Sequence, residues 1–217
     1  MHSHHRPRIL AISGSLRRGS FCTSLIQRLT RYSPGMLEIT LHDIGDIPLF
    51  NEDVAKEEIP AGVVRLSRAV SESDGVLIVT PEYNHGIPGV LKNALDWASQ
   101  PFQKSTFRHK PVTLISTSLS STGGVRAQYQ LRETLHSMLA RVVPGPEVVI
   151  GEIHRKISAD SFVDDKALCL MMRALDLLRC EILDIQNRAR HDRLASEATI
   201  RHLSSVPASP AENLLVS

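Results

Sequence analysis

The chain has 217 residues, of which 42% are apolar and 22% are charged, as is ordinary for a globular protein with one sizeable core. A net charge of +2 and an aromatic content of 4% exclude the concentrated basic stripe with stacking rings that nucleic-acid binding requires. No apolar run approaches the ~20 residues of a membrane span, and the N-terminus has only a short apolar stretch, unlike a signal peptide. Three cysteines without a C-x-x-C motif fit a reducing compartment. We therefore predict a cytoplasmic protein.

Strand-like apolar runs alternate with helical stripes along the chain. A continuous run predicts a buried strand, and apolar residues three or four positions apart predict a helix packed on it. The final stripe spans 168–182 and contains Cys169 and Cys180 on one face, where we expect core thiols. In chain order, the predicted elements are a strand at 8–13, a helix over 21–32, a strand at 37–43, a helix from Pro60 to Gly75, strands at 75–80 and 111–117 separated by a helix from Pro88, a helix around 131–139, a strand at 146–151 and the long final helix.

This alternation predicts the fold class. Nearly all-apolar strands that alternate with helices are typical of a parallel sheet covered on both faces, so we predict a doubly wound α/β domain. The domain is expected to span 8–187, after a flexible N-terminus at 1–7. Residues 188–217 are expected to form a C-terminal tail that packs on the surface or stays mobile.

The segment SGSLRRGSFCTS, residues 13–24, follows the first predicted strand. Its glycines allow a tight turn, its hydroxyls donate hydrogen bonds, and the next helix points its free N–H groups at the loop, which together suit a phosphate dianion. Arg17 can add a charge-assisted hydrogen bond. Ser20 replaces the lysine of a P-loop, and Leu16 replaces the middle glycine of a dinucleotide fingerprint. A Ser/Gly turn that caps a helix without a ligand remains the alternative.

The segment TPEYNHGIPGVLKNALDWAS, residues 80–99, follows the third predicted strand. Pro81 and Pro88 stiffen both ends of the loop, so its exposed backbone groups can read the polar edge of a heterocycle. Tyr83 can lie against the apolar face of such a ring. We therefore expect this loop to grip a flat ring system.

The segment TSLSSTGGVRAQ, residues 117–128, follows the fourth predicted strand. Gly123 and Gly124 directly precede a helix, so their amides can approach a ligand closely with the helix dipole behind them. A group that becomes anionic during turnover would be stabilised there. The alternative is an ordinary Ser/Gly N-cap.

Three segments together resemble the NADPH-dependent FMN reductase family, most closely its chromate and quinone reductase branch: GSLRRGSF, TPEYNHGIPGVLKNALDW and GGVRAQYQLR. The resemblance covers about residues 8–187 and implies a flavodoxin-like, five-stranded sheet of order 2-1-3-4-5. It implies FMN as cofactor and NADPH or NADH as electron donor. No metal site is predicted from the sequence. Cys22 stands where the family usually carries Asn, and His85 where a second aromatic residue is frequent. Carried over by position, the residues expected to bind FMN are Ser15, Leu16, Arg17, Gly19, Ser20, Cys22, Pro81, Glu82, Tyr83, Asn84 and Ser118, with Gly123 and Gly124 expected by the N1–C2 edge of the ring.

The resemblance implies an oxidoreductase in which the flavin supplies the redox chemistry. NAD(P)H would deliver hydride to flavin N5, and a quinone, chromate, an azo compound or free flavin would remove the electrons. No side-chain acid or base is obligatory, so no catalytic residue is assigned. The resemblance also implies a homodimer or homotetramer, in which Arg126, Tyr129 and Glu147 could face a partner chain or form an ordinary solvated surface.

Two other readings remain open from the sequence. One is a flavodoxin-like electron carrier without a nicotinamide site, although carriers of that kind are strongly acidic and this chain is slightly basic. The other is a flavin-supplying reductase, in which FMN is a substrate released after reduction.

Overall fold

The structure is a computed structural model that describes residues 6–101, 105–158 and 162–205. None of the helices in these ranges is long and apolar enough to cross a membrane. The strands are β1 (Arg8–Ser13), β2 (Glu38–His42), β3 (Gly75–Pro81), β4 (Pro111–Thr117), β5 (Arg141–Val142) and β6 (Val148–Ile150). The helices are α1 (Phe21–Tyr32), α2 (Glu52–Glu57), α3 (Ala61–Glu72), α4 (Gly89–Ala98), α5 (Val125–Ser137), α6 (Ile153–Lys156) and α7 (Asp165–Ser205).

All strand pairings in the sheet are parallel, in the order β2-β1-β3-β4-β5, and β6 also pairs with β4. The predicted doubly wound fold and its strand order 2-1-3-4-5 are confirmed. The sequence does not predict α2 and α6, because helices of six and four residues are too short to show a helical stripe.

The edge strand beside β4 is divided into two pieces. β5 pairs with the first two residues of β4, and β6 pairs with its last three. Pro144 and Pro146 lie between the pieces and have no N–H to donate to the ladder. The single strand predicted at 146–151 is therefore only the second half of this edge.

Side chains of the strands alternate between two apolar cores, one on each face of the sheet. Ile9 and Ala11 of β1 point into the core formed with α1 and α7, whereas Leu10 and Ile12 point into the core formed with α3, α4 and α5. Helices thus cover both faces, and both faces of β3 and β4 are buried, which explains why their sequences read as continuous apolar runs.

Helix α7 continues to Ser205, through the start of the region predicted as a tail. Residues 188–198 lack an apolar stripe but include three Ala and three Arg, which favour helix by intrinsic propensity. The described residues divide into two compact units, one ending at Ile182 and the other beginning at Leu183. The domain boundary at 187 remains a prediction, and residues 1–5 and 206–217 lie outside the described residues.

The prediction that Cys169 and Cys180 are core thiols is wrong, since both side chains are exposed. Met171 and Leu178 of the same helix are fully buried. Each cysteine lies two positions from one of these core residues, which is about 200° around an α-helix, so both thiols point away from the core.

Candidate functional site

A pocket of about 250 Å³ opens where β1, β3 and β4 end. Its walls come from the three loops that follow these strands, as expected for the carboxyl edge of an open α/β sheet. Most of the residues predicted to bind FMN line it. These are Ser15, Arg17, Ser20, Cys22, Pro81, Glu82, Tyr83 and Ser118.

The loop after β1 is held in shape by its own hydroxyl groups. Ser20 is the N-cap of α1, and its Oγ accepts a hydrogen bond from the Thr23 N–H at 3.3 Å. Thr23 Oγ1 donates to Ser13 Oγ at 3.0 Å, and Ser13 Oγ donates to the Ser15 carbonyl at 3.2 Å. Gly14 lies so close to β3 that a Cβ there would come within 2.7 Å of Thr80 Oγ1. The loop is therefore held by contacts within the chain.

Arg17 is exposed and held over its own loop. Its Nη2 donates to the Gly19 carbonyl at 3.0 Å, and its guanidinium lies 5.7 Å from the centre of the Phe21 ring. A cation at this distance from an aromatic face is attracted by the ring. Arg17 thus presents a positive charge at the pocket wall in a defined position, where it can meet an anionic group.

The loop between β3 and α4, residues 82–88, contains a tight two-residue turn. The Tyr83 N–H donates to the Gly86 carbonyl at 2.9 Å, and the Gly86 N–H donates back at 3.0 Å. The two central residues of the turn are Asn84, with a φ of 48°, and His85, with a φ of 67°. Both values lie in the left-handed region, as in a type I′ turn. The turn projects Tyr83 toward the first loop, where its hydroxyl lies 3.4 Å from Ser15 Oγ.

Helix α5 holds this turn from two positions. The Glu82 carboxylate accepts from the Arg126 backbone N–H at 3.1 Å and from Arg126 Nη1 at 3.3 Å. One helical turn further on, Gln130 Oε1 accepts from the Ile87 N–H at 2.7 Å. Glu82 therefore provides the N-terminal capping that Gly124, the N-cap residue of α5, cannot supply because it has no side chain.

The loop after β4 is fixed to the segment that follows β6. The Ser118 N–H donates to the Ile150 carbonyl at 3.1 Å, and the Ser118 carbonyl accepts from the Ile153 N–H at 3.1 Å. Ser118, Ser120 and Thr122 form a chain of hydroxyl contacts along the exposed loop. These contacts bring Ile153, which starts α6, to the pocket wall.

Five residues predicted to bind FMN do not line the pocket: Leu16, Gly19, Asn84, Gly123 and Gly124. Leu16 is exposed and approaches Gly45, in the loop after β2. Asn84 is exposed at the tip of the turn and Gly19 in the first loop. Gly124 is buried with φ of 85°, and a Cβ there would lie 3.1 Å from Ser116 Cβ. Gly123 is buried beside Val149.

Four lining residues were not predicted. Phe21, Thr117 and Leu119 each adjoin a predicted residue in the sequence. Extending each predicted loop segment by one residue would have included them. No sequence signal pointed to Ile153, because it reaches the pocket only through the backbone pairing of the loop after β4 with the segment after β6.

Cys22 lies in the first turn of α1 and is buried in the pocket wall. Burial raises the pKa of its thiol to about 12, although a hydrogen bond with Ser20 and the charge of Arg17 both lower it. Because burial disfavours the thiolate, Cys22 stays protonated at neutral pH. It acts there as a small apolar residue with a weak donor, where an Asn would offer a stronger amide donor.

Comparison with known proteins gives concordant matches. Residues 7–155 match the family described as NADPH-dependent FMN reductase. The chain is similar to an NAD(P)H-dependent FMN reductase of Pseudomonas aeruginosa, with 39% identity covering 79% of this chain and 93% of the relative. It is also similar to a quinone reductase of Escherichia coli K12, with 41% identity covering 69% of this chain and 80% of the relative. Among solved structures, the flavoenzyme NAD(P)H:(acceptor) oxidoreductase FerB of Paracoccus denitrificans has 33% identity and a TM-score of 0.76, covering 82% of this chain and 98% of that one.

We expect a thiol-specific reagent at neutral pH to modify Cys169 and Cys180 rapidly and to leave Cys22 unmodified. The first two side chains are exposed, whereas Cys22 is buried and its raised pKa suppresses the reactive thiolate. Titration with a chromogenic disulfide should show two fast thiols and a third only after unfolding. In Cys22→Ser the third thiol should disappear without change to the other two. Rapid modification of Cys22 in the folded protein would contradict this assignment.

Proposed function

Since the chain belongs to the NADPH-dependent FMN reductase family, we propose that its pocket holds FMN and that the bound flavin passes electrons from NAD(P)H to a small acceptor. The family assignment confirms the predicted class, an FMN-containing NAD(P)H-dependent oxidoreductase. The observation that carries the proposal for this pocket is the contact between Ser15 and Tyr83. It joins the loop suited to a phosphate with the loop suited to a ring.

The residues that line the pocket fit FMN chemically. Ser15 and Ser20 supply hydroxyl groups and Arg17 supplies a positive charge, which suits a phosphate beside the N-terminus of α1. Tyr83 supplies an aromatic surface, and Leu119 supplies an apolar one, which suit the faces of a flat heterocycle. The same wall therefore offers polar groups for the tail of the cofactor and apolar groups for its ring.

Bound FMN would supply the hydride and electron chemistry, and the chain would bind, orient and shield it. Tyr83 is about half exposed, so one side of the proposed ring site is open to solvent. An open site can admit a nicotinamide and then an acceptor in turn. The backbone of Pro81 and Glu82 lies at the end of β3, where N–H and C=O groups can meet the polar edge of the ring.

The acceptor class follows from the relatives and from the open pocket. Relatives include quinone reductases and a 2-hydroxy-1,4-benzoquinone reductase of a Burkholderia species. A flat quinone would fit the same exposed surface as the nicotinamide ring. We place quinones first among the acceptors, and chromate, azo compounds and free flavin after them. The electron-carrier reading has no comparable support, because the relatives named here are reductases.

Assembly and location complete the proposal. The chain is proposed to form a homodimer or homotetramer, and exposed Tyr129 on α5 is a candidate contact. In the structure, however, Arg126 pairs with Glu82 and Glu147 with Arg132, so these two charges have partners within the chain.

A cytoplasmic location agrees with three cysteines that are all free thiols.

We expect the purified protein to be yellow and to lose its visible flavin band when NADPH is added without oxygen. Adding a benzoquinone should restore the band, because the electrons then leave the flavin. Colour that survives gel filtration would identify FMN as a bound cofactor, whereas colour lost on the column would identify the flavin-supplying reductase. A yellow protein that neither NADPH nor NADH bleaches would instead be an electron carrier.

Arg17→Ala is expected to weaken FMN binding by about tenfold or more, because a charge-assisted hydrogen bond to phosphate is worth about 1.5–3 kcal/mol. Fluorescence titration of the apoprotein with FMN measures this loss. Arg18→Ala is the matched control, since it removes the same charge from the same loop but outside the pocket wall. Equal FMN affinities for wild type and Arg17→Ala would contradict the phosphate assignment.

Sedimentation velocity should show an assembly larger than a monomer at micromolar concentration. Tyr129→Asp should shift it toward the monomer if α5 contributes to the interface, since the substitution would bury a charge there. Ser71→Asp adds the same charge at an exposed position of α3 and is the control, which should leave the assembly unchanged. A monomeric wild type would remove this part of the proposal.

A further inference from the structure

Glu82 lines the pocket and also contacts the start of α5 through its carboxylate. Glu82 lines the pocket directly after β3, and its side chain is only 10% exposed. Both carboxylate oxygens bond to Arg126, one to the backbone N–H and one to the guanidinium. The charge is thus held in a fixed place, close to where the flavin ring is proposed to lie.

Two contacts of different kinds join the loop after β3 to α5: one is made by Glu82 of the loop and the other by Gln130 of the helix. Gln130 bonds to the Ile87 N–H and is uncharged, so it can influence only where the turn lies. Glu82 bonds to α5 through a carboxylate, so a residue that lines the pocket carries a negative charge. Comparing the two residues therefore separates the effect of position from the effect of charge.

A buried negative charge disfavours any further negative charge beside it. When FMN takes up two electrons and one proton, it gains one net negative charge. The Arg126 guanidinium offsets the Glu82 carboxylate, but its side chain is 49% exposed and more strongly screened by solvent. The carboxylate is therefore less screened by solvent than the guanidinium that offsets it.

We infer that Glu82 is a positioning residue whose charge also sets the reduction potential of the bound flavin. Its hydrogen bonds to α5 fix the turn at 83–86, and its carboxylate keeps the potential lower than a neutral side chain would. A low potential favours electron transfer from the flavin to weakly oxidising acceptors. This inference rests on the proposed FMN site.

Glu82→Gln tests the charge. It keeps the size of the side chain and one hydrogen-bond acceptor but removes the negative charge. We expect reduced FMN to bind about tenfold more tightly relative to oxidised FMN than in wild type, which raises the two-electron midpoint potential by about 30 mV. Arg126→Gln should shift the potential in the opposite direction, because it leaves the carboxylate without its offsetting charge. Potentials are measured by anaerobic equilibration with a reference dye.

Two further variants complete the design. Gln130→Ala should weaken the binding of oxidised and reduced FMN by similar factors and leave the potential unchanged, since it alters position without altering charge. Glu133→Gln makes the same charge change on an exposed part of α5 and should leave both quantities unchanged. Opposite shifts in Glu82→Gln and Arg126→Gln would support the inference.

Two results would overturn the inference: a Glu82→Gln potential equal to that of Glu133→Gln, or shifts of the same sign in Glu82→Gln and Arg126→Gln. Failure of the proposed function would look different. In that case the wild-type apoprotein would not bind FMN, or Arg17→Ala would bind it as tightly as wild type does. Suppose that wild type binds FMN and Arg17→Ala binds it weakly, but Glu82→Gln has the same reduction potential as Glu133→Gln. In that case only the further inference fails.

Discussion

The parallel register of three central strands determines where a site can form in this protein. β1 pairs with β3 so that Ser13 lies beside Val79, and β3 pairs with β4 so that Pro81 lies beside Thr117. The Gly14 N–H extends the first pairing by donating to the Val79 carbonyl at 2.8 Å. Because the strands end together, their loops leave from one edge of the sheet. Polar residues separated by about a hundred positions in the sequence therefore become neighbours.

The two loops that flank the pocket obtain their shapes in different ways. The first loop is held by hydrogen bonds among its own side chains, such as Thr23 to Ser13. The turn after β3 contains Asn84 and His85 in a left-handed conformation, which costs ordinary L-residues about 1–2 kcal/mol each. Its shape is stabilised by contacts with α5, through Glu82 and Gln130. The proposed ring end of the pocket thus depends on tertiary packing, whereas the proposed phosphate end depends mainly on local structure.

This difference explains which features the sequence predicts. The apolar runs of β3 and β4 and the polar segments that follow them are local patterns, so the sequence predicts where these strands end and their loops begin. The capping role of Glu82 has no local signal, because its partner lies 44 positions away and the N-cap it replaces is a glycine. Ile153 was missed for a similar reason. Cys169 and Cys180 were misplaced because a shared helical face does not say whether that face is buried, and only the packing of α7 decides it.

A pocket whose two ends are stabilised separately can change its redox behaviour without losing its cofactor. Ser20, Arg17 and the start of α1 form one unit, joined by hydrogen bonds within the first loop and its helix. Substitutions on α5 act on the other unit, through Glu82 and the turn, and leave the first unit intact. If FMN binds as proposed, affinity for the phosphate and the electrostatic field at the ring are set by different residues. Under that proposal, α5 is the element through which acceptor preference can vary while the contacts to the phosphate are kept.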